Sequence, residues 1–334
     1  MKRHVQWCVL AAAAMVLGGC SKSVHDPGEK YYLVAANVKL PYWQTAASGF
    51  YAGARQMGVA AEMVGPDSYD PAAESTAFKD AVSKKPTGIL ISVADPNVLK
   101  GDIDSAIDAG IPVIAMDADA PNSKRLYFIG TNNYEAGKLG GQALVKALKG
   151  SATVVVFTMP TQYNLEERLK GYRDILADHP GIRITQVVDI KGDPRVAFDT
   201  TSAMVNAKGK QLPDAFVCLE ASSCQEVADV LDRNSVKGKT IVAMDTNDDT
   251  LNWLKKGGIT ATIAQKPYSM GLIGIHRLDE VHHNKPASLD HDWKDDTLSP
   301  YPAFVDTGAT LIDNSNLASF QAAQQSAKQS GSNQ

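Results

Sequence analysis

Gly88-Ile89-Leu90-Ile91-Ser92-Val93-Ala94-Asp95-Pro96 is the stretch that decides the fold. Its first part is almost wholly apolar, as a strand covered on both faces must be. Asp95 can cap a helix, and Pro96 suits the first helical position, where its fixed φ is already helical and no N–H is missed. A fully buried strand handed at once to a helix is the unit of a parallel α/β sheet. The same grammar extends to both sides. Residues 31–36 read as a strand. Trp43, Ala46, Ala47, Phe50, Ala54 and Met57 fall at helical spacing, and Gly58 ends that helix. Residues 59–64 and 111–116 read as strands, and Asp70-Pro71 opens a helix by the same device. The pattern then starts again, with strands predicted over 153–157, 182–188, 215–219, 240–244 and 260–264 and a third Asp-Pro start at Asp193-Pro194. The chain therefore reads as two similar doubly wound α/β lobes. From about Gln321 it turns rich in Gln, Ser, Lys and Asn, which predicts a disordered tail.

The amino terminus sets the compartment. Lys2 and Arg3 precede an apolar run over 5–17, and Leu17-Gly18-Gly19-Cys20 follows. Positive start, short apolar run and small residues are the order of a secretory signal. The run is shorter than the roughly 20 residues of a spanning helix. Leu-Gly-Gly-Cys resembles the lipobox of bacterial lipoproteins, which implies cleavage before Cys20 and a lipid on its sulfur. Residues 1–19 are then the signal and residues 20–30, largely polar, a tether. Of the other cysteines, Cys8 leaves with the signal. Cys218 and Cys224 read either as a local disulfide, which an exported chain permits, or as two buried thiols.

Composition bounds the partners. The 334 residues carry 33 Lys+Arg against 37 Asp+Glu, and loss of the signal leaves 31 against 37. A mildly acidic chain argues against nucleic acid. With 44% hydrophobic and 21% charged residues it is an ordinary globular composition, long enough for two domains.

Catalytic signatures are missing from the sequence. It has no GxSxG, no glycine-rich Walker loop and no HExxH, so a binding protein is expected rather than an enzyme, with no cofactor and no metal. His282 and His283, with Asp279 and Glu280 nearby, read as a solvated helix end, a metal site being the alternative. In doubly wound folds ligands sit at the carboxyl ends of the strands. The residues there are Tyr42 and Trp43, Asp117 and Asp119, Arg168, Glu220, Asp245 and Gln265. Carboxylates accept paired hydroxyls, a guanidinium donates in a fixed fork, and Gln does both. Tyr and Trp can cover the C–H face of a sugar ring. For each there is a structural alternative: Trp43 in the core, the aspartates as caps, Arg168 paired with Glu166 or Glu167.

These segments together resemble a known family. Pro41-Tyr-Trp43, Ile111-Pro-Val-Ile-Ala-Met-Asp117, Tyr127-Phe-Ile-Gly-Thr-Asn-Asn-Tyr-Glu-Ala-Gly137, Glu167-Arg-Leu-Lys-Gly-Tyr172, Ala243-Met-Asp245 and Ala261-Thr-Ile-Ala-Gln265-Lys-Pro look like the type I periplasmic sugar-binding proteins of ABC importers, the group that includes ribose-binding protein. The likeness covers about residues 31–312. It implies two lobes joined by a three-strand hinge, 31–131 with 266–298 and 132–265 with 299–312, leaving 313–334 as the tail. It implies a monomer that closes over a monosaccharide and hands it to an ABC permease. The family's ligand positions fall on Tyr42, Trp43, Asp117, Arg168, Asp245 and Gln265.

The chain departs from the ribose pattern at three places: Ala118 stands where that pattern has arginine, Glu220 where it has asparagine, and Leu40 where it has a polar residue. Asp119 is expected to fill part of the missing arginine's role, and Glu220 to join the ligand set. A receptor for a sugar-like signal of the autoinducer-2 type is the alternative function. A repressor core of the same fold would need a DNA-binding headpiece where this chain has its signal.

Overall fold

The computed structural model describes residues 25–332, except 208, 210, 292, 294 and 295, and gives only the backbone for 327–332. The signal and Cys20 lie outside the described residues.

The first lobe runs β1 (Lys30–Val34), α1 (Pro41–Met57), β2 (Ala60–Val64), α2 (Pro71–Ser83), β3 (Gly88–Ile91), α3 (Pro96–Asp108), β4 (Val113–Met116) and β5 (Phe128–Gly130). The second runs α4 (Asn133–Ala147), β6 (Ala152–Thr158), α5 (Tyr163–Ala177), β7 (Ile182–Asp189), α6 (Arg195–Asn206), β8 (Ala215–Cys218), α7 (Ser223–Arg233), β9 (Thr240–Met244), α8 (Asp248–Lys256) and β10 (Ala261–Ala264). The chain then returns through α9 (Pro267–His283) and β11 (Phe304–Asp306) before β12 (Thr310–Asp313) and α10 (Leu317–Ser332).

Each lobe holds one six-stranded sheet, ordered β11-β5-β4-β3-β1-β2 and β12-β10-β9-β8-β6-β7. All pairings are parallel except β10 with β12. In both sheets the chain goes outward once, from β1 to β2 or from β6 to β7, and then reverses. The crevices thus open beside β1 and β6, at the carboxyl ends of the strands. The central strands are buried on both faces; Tyr31, Tyr32, Leu33 and Val34 of β1 are fully covered.

The Asp-Pro starts behave as the sequence predicts at two sites. Asp70 accepts from the N–H groups of Ala72 and Ala73, and Asp95 from that of Asn97. At Asp193-Pro194 the helix begins one residue later, with Pro194 at the cap and Asp193 accepting from the Arg195 N–H at 3.0 Å.

Two helix pairs fix the lobes to their connections. Helix α9 crosses α1 so closely that a Cβ on Gly271 would meet the Ala46 carbonyl at 2.1 Å, and one on Gly49 the Tyr268 carbonyl at 2.0 Å. In the second lobe α4 and α5 use Gly137 and Gly171 in the same way. Each pair joins the helix that follows a crossover to the helix that follows the lobe's first strand.

The structure corrects three boundaries. The expected tether does not extend to residue 30: Lys30 begins β1, Glu29 is buried and His25 is bonded to Asp279 of α9. Residues 299–312 do not all belong to the second lobe: β11 pairs with β5 in the first sheet. Crossing occurs only afterwards, where Thr307 donates its N–H and hydroxyl to the Gly130 carbonyl at 2.7 and 3.0 Å. The tail is not wholly without structure either. Helix α10 occupies it because Leu317 is buried on the second core and Phe320 packs against it, which anchors a run of helix-tolerant Ala, Gln and Lys.

Candidate ligand-binding site

The carboxyl ends of the two sheets face each other across a cavity of about 210 Å³, lined from both lobes. Strands β4 and β9 end in aspartates. Asp117 and Asp245 both adopt left-handed backbone, φ 63° and 67°. That conformation ends each strand abruptly and is one that Asp tolerates better than most residues.

Asp117 accepts from the Tyr42 hydroxyl at 2.5 Å and from Asn164 Nδ2, which reaches across from the other lobe, at 3.4 Å. Asp245 accepts from Gln265 Nε2 at 2.9 Å. Burial raises both carboxyls, and the Arg168 charge only partly offsets it. The Asp245 carboxyl is pushed up to about 7, the nearby charges of Asp117 and Glu220 adding to the rise. Burial likewise holds the Tyr42 phenol well above its usual range, with the Asp117 carboxylate adding to it.

Arg168 lies on α5, 3% exposed. Its Nε donates to Asn133 Oδ1 at 2.8 Å, Nη1 to the Leu219 carbonyl at 2.6 Å and Nη2 to Gln265 Oε1 at 3.0 Å. It therefore pairs with neither Glu166 nor Glu167 and is held with its fork in place. Gln265 sits on the second crossover and also accepts from Thr131 on the first at 2.8 Å. One amide thus joins two of the three lobe connections to the cavity wall.

Tyr42 and Trp43 meet edge to face, centroids 5.1 Å apart at 81°. Trp43 is 5% exposed; it is part of the first core and also lines the cavity.

Two expected residues behave differently. Asp119 does not line the cavity. Both its oxygens are taken by Arg125, from Nε at 2.5 Å and Nη2 at 2.6 Å, in a buried pair. An aspartate two residues past Asp117 was expected to stand in for an arginine; instead it has found one behind the wall. Glu220 does line the cavity, but its carboxylate serves the start of α7. Oε2 accepts from the Ser222 N–H at 2.7 Å and its hydroxyl at 2.5 Å, and Oε1 from the Ser223 N–H at 2.8 Å. A disulfide between Cys218 and Cys224 brackets that turn.

Sequence reasoning missed Asn164 and Tyr69. Asn164 is buried between the lobes, and the Tyr69 hydroxyl links the Ala94 carbonyl at 3.0 Å to Thr161 of the other lobe at 3.1 Å. Asn164 lay within a strand-exit loop and could have been found there. Tyr69 follows an edge strand and gave no such signal.

A family model described as a periplasmic binding protein domain matches residues 31–285. The chain belongs to the periplasmic binding protein family. Within it the chain is a type I sugar-binding protein of the ABC importer group, and members of the family are binding proteins that work outside the cytoplasm. The xylose/arabinose-binding protein XylF of Sulfolobus acidocaldarius is 25% identical over 277 residues, 78% of this chain; the chain spans 64% of that relative's length. The structure of a sugar ABC transporter's sugar-binding protein from Bacillus halodurans superposes with a TM-score of 0.76 at 31% identity, covering 86% of this chain and 99% of that one. GanP, a glucose-galactose binding protein from Geobacillus stearothermophilus, gives a TM-score of 0.79 at 26% identity, covering 88% and 99%. Among the described residues no helix is long and apolar enough to cross a membrane.

Proposed function

We propose that this chain is a lipid-anchored solute-binding protein that captures one monosaccharide between its lobes and presents it to an ABC permease. The observation that carries the reading is the facing pair of strand-end aspartates, Asp117 and Asp245, with Arg168 and Gln265 between them on one buried cavity. Two carboxylates and one guanidinium suit a neutral ligand rich in hydroxyls. A cavity of about 210 Å³ lies below the roughly 300–1,000 Å³ of drug-sized sites, which favours a single ring over an oligosaccharide. Tyr42 and Trp43 cover the ring's C–H face, and Asp117, Arg168, Asp245 and Gln265 bond its hydroxyls.

Both lobes contribute to the ligand's shell, so the ligand favours closure through contacts that only the closed form completes. The closed shape is then what the permease recognises. Cys20 carries the lipid, and because residues 25–30 pack on the first lobe, the stretch from Cys20 to His25 keeps the lobes near the membrane on a leash of at most about 18 Å. More than one acyl chain is needed for firm anchoring, which a lipidated amino-terminal cysteine supplies.

Calorimetric titration of pentoses, hexoses and their deoxy derivatives tests the ligand class. Saturable heat with one or a few sugars is expected, and heat with none of them would overturn the reading. Fractionation of cells carrying Cys20→Ser tests the anchor: the variant is expected in the soluble envelope fraction and the unaltered protein in membranes.

A further inference from the structure

A second group of chemistry-bearing side chains lies at the other end of the first lobe. His25 and Glu29 precede β1, and Asp279 and His283 sit one turn apart near the end of α9. One ligand atom from each comes within 4.8 Å of all the others. The sugar cavity lies at the carboxyl ends of the strands, whereas this group lies at their amino ends. Helix α9 connects the two, beginning at the hinge crossover and running 17 residues, about 26 Å of rise.

We propose that these four residues form a zinc site. Tetrahedral zinc with nitrogen and oxygen ligands near 2.0–2.2 Å holds those ligand atoms about 3.3 Å from one another. Here His25 Nε2 lies 3.1 Å from Asp279 Oδ1. His283 Nε2 lies 3.5 Å from Asp279 Oδ1 and 3.5 Å from Glu29 Oε2. Two imidazoles and two carboxylates make a neutral site once the divalent cation is bound, which suits partial burial.

An independent observation points to a cation. Glu29 is 5% exposed, yet its Oε2 accepts no hydrogen bond. A buried carboxylate oxygen left so costs free energy unless a cation meets it. Its other oxygen is committed, accepting from the Asp26 N–H at 2.7 Å, so Oε2 is aimed into the group. The Tyr31 hydroxyl donates to Asp279 Oδ1 at 3.0 Å. Such outer hydrogen bonds orient carboxylate ligands around a metal.

Four protein ligands close the coordination sphere, so the role is structural. Zinc would clamp the segment that leads out of the tether onto α9, the helix that begins at the hinge. Folding and metal binding would then be coupled.

The purified full chain, stripped with a chelator and then titrated with zinc sulfate against a chromophoric competitor, tests this. One zinc per chain and a higher unfolding temperature with zinc are expected. Glu29→Gln and His283→Gln are each expected to weaken zinc binding by about 100-fold or more, while His276→Gln, on the same helix but bonded to Gln56, leaves it unchanged. Cobalt bound to the unaltered chain is expected to give the intense visible bands of tetrahedral coordination, a readout that needs no variant to fold. Substoichiometric zinc, equal affinity in the unaltered chain and the Glu29 and His283 variants, or octahedral cobalt bands would overturn the proposal. Sugar titration of the same samples keeps the two readings apart, since the cleft shares no residue with this site.

Discussion

Asp117 and Asp245 end β4 and β9 at matching places in the two sheets, and each turns there through left-handed backbone. The equivalence extends one strand further. Thr131 follows β5 and Gln265 follows β10, and the two are hydrogen-bonded to each other at 2.8 Å. The lobes thus present the same two strand exits to one cavity, and the hinge is built from the second of them.

Replacing either aspartate by asparagine tests their role without disturbing the backbone, since Asn also tolerates the left-handed region. A hydrogen bond to a charged group contributes about 1.5–3 kcal/mol. Asp117→Asn and Asp245→Asn are therefore each expected to weaken sugar binding by roughly 10- to 150-fold, read by calorimetry, with little change in unfolding temperature.

Affinity should also depend on pH, with a sign set by Asp245. Its carboxyl is raised to about 7 in the cavity, first by burial. Sugar hydroxyls donate to the ionised form, so binding lowers that value and releases a proton. Affinity is expected to fall as pH drops through 7, by up to roughly 30-fold between pH 8 and 5.5 if the bound carboxyl stays ionised. Asp245→Asn should flatten the profile. Calorimetry in buffers of different ionisation enthalpy measures the proton released; uptake in place of release would refute the assignment.

The two lobes and their strand ends were legible because each buried strand is a compact apolar run with a polar or Asp-Pro signal after it. Strand β11 was not, because Phe304-Val-Asp306 has only three residues and 37% exposure at Phe304, too little to show a period. The composition of the tail hid two anchoring side chains, Leu317 and Phe320, in a polar background. In the site, residue type told which groups could bind hydroxyls but not which way they point. Asp117, Asp245 and Gln265 converge because they sit directly at strand exits, and Tyr42 reaches them from the first turn of α1. The His25–Asp279 contact spans 254 positions, and no local pattern in a single sequence could signal it.

Close helix packing gives a stability prediction. A Cβ at Gly171 would lie 2.2 Å from the Tyr134 carbonyl, and backbone cannot yield as a flexible side chain does. Gly171→Ala is expected to destabilise the fold by about 1–3 kcal/mol, the usual range for overpacking. Gly101→Ala, on α3 with nothing within 4 Å of the added carbon, is the control and should be neutral or slightly stabilising through helix propensity. Chemical denaturation of both variants provides the comparison.

Asp119 separates residue chemistry from residue placement. By type and position in sequence it belongs with the ligand carboxylates; by geometry it belongs to Arg125. Both partners of that pair are buried, side chains 5% and 8% exposed, so removing one leaves the other as an uncompensated charge. Such breaks typically cost about 3–5 kcal/mol. Asp119→Ala should therefore lower stability by that order while leaving the sugar dissociation constant of the folded protein within about twofold. Asp119→Ala combined with Arg125→Met removes both charges and should recover most of the loss, because an apolar replacement of a buried pair is often neutral. A ligand role for Asp119 predicts the reverse: weakened binding that the second substitution does not restore. Denaturation and calorimetry on the single and double variants distinguish the two, since only the structural pairing couples Asp119 to Arg125 through stability alone.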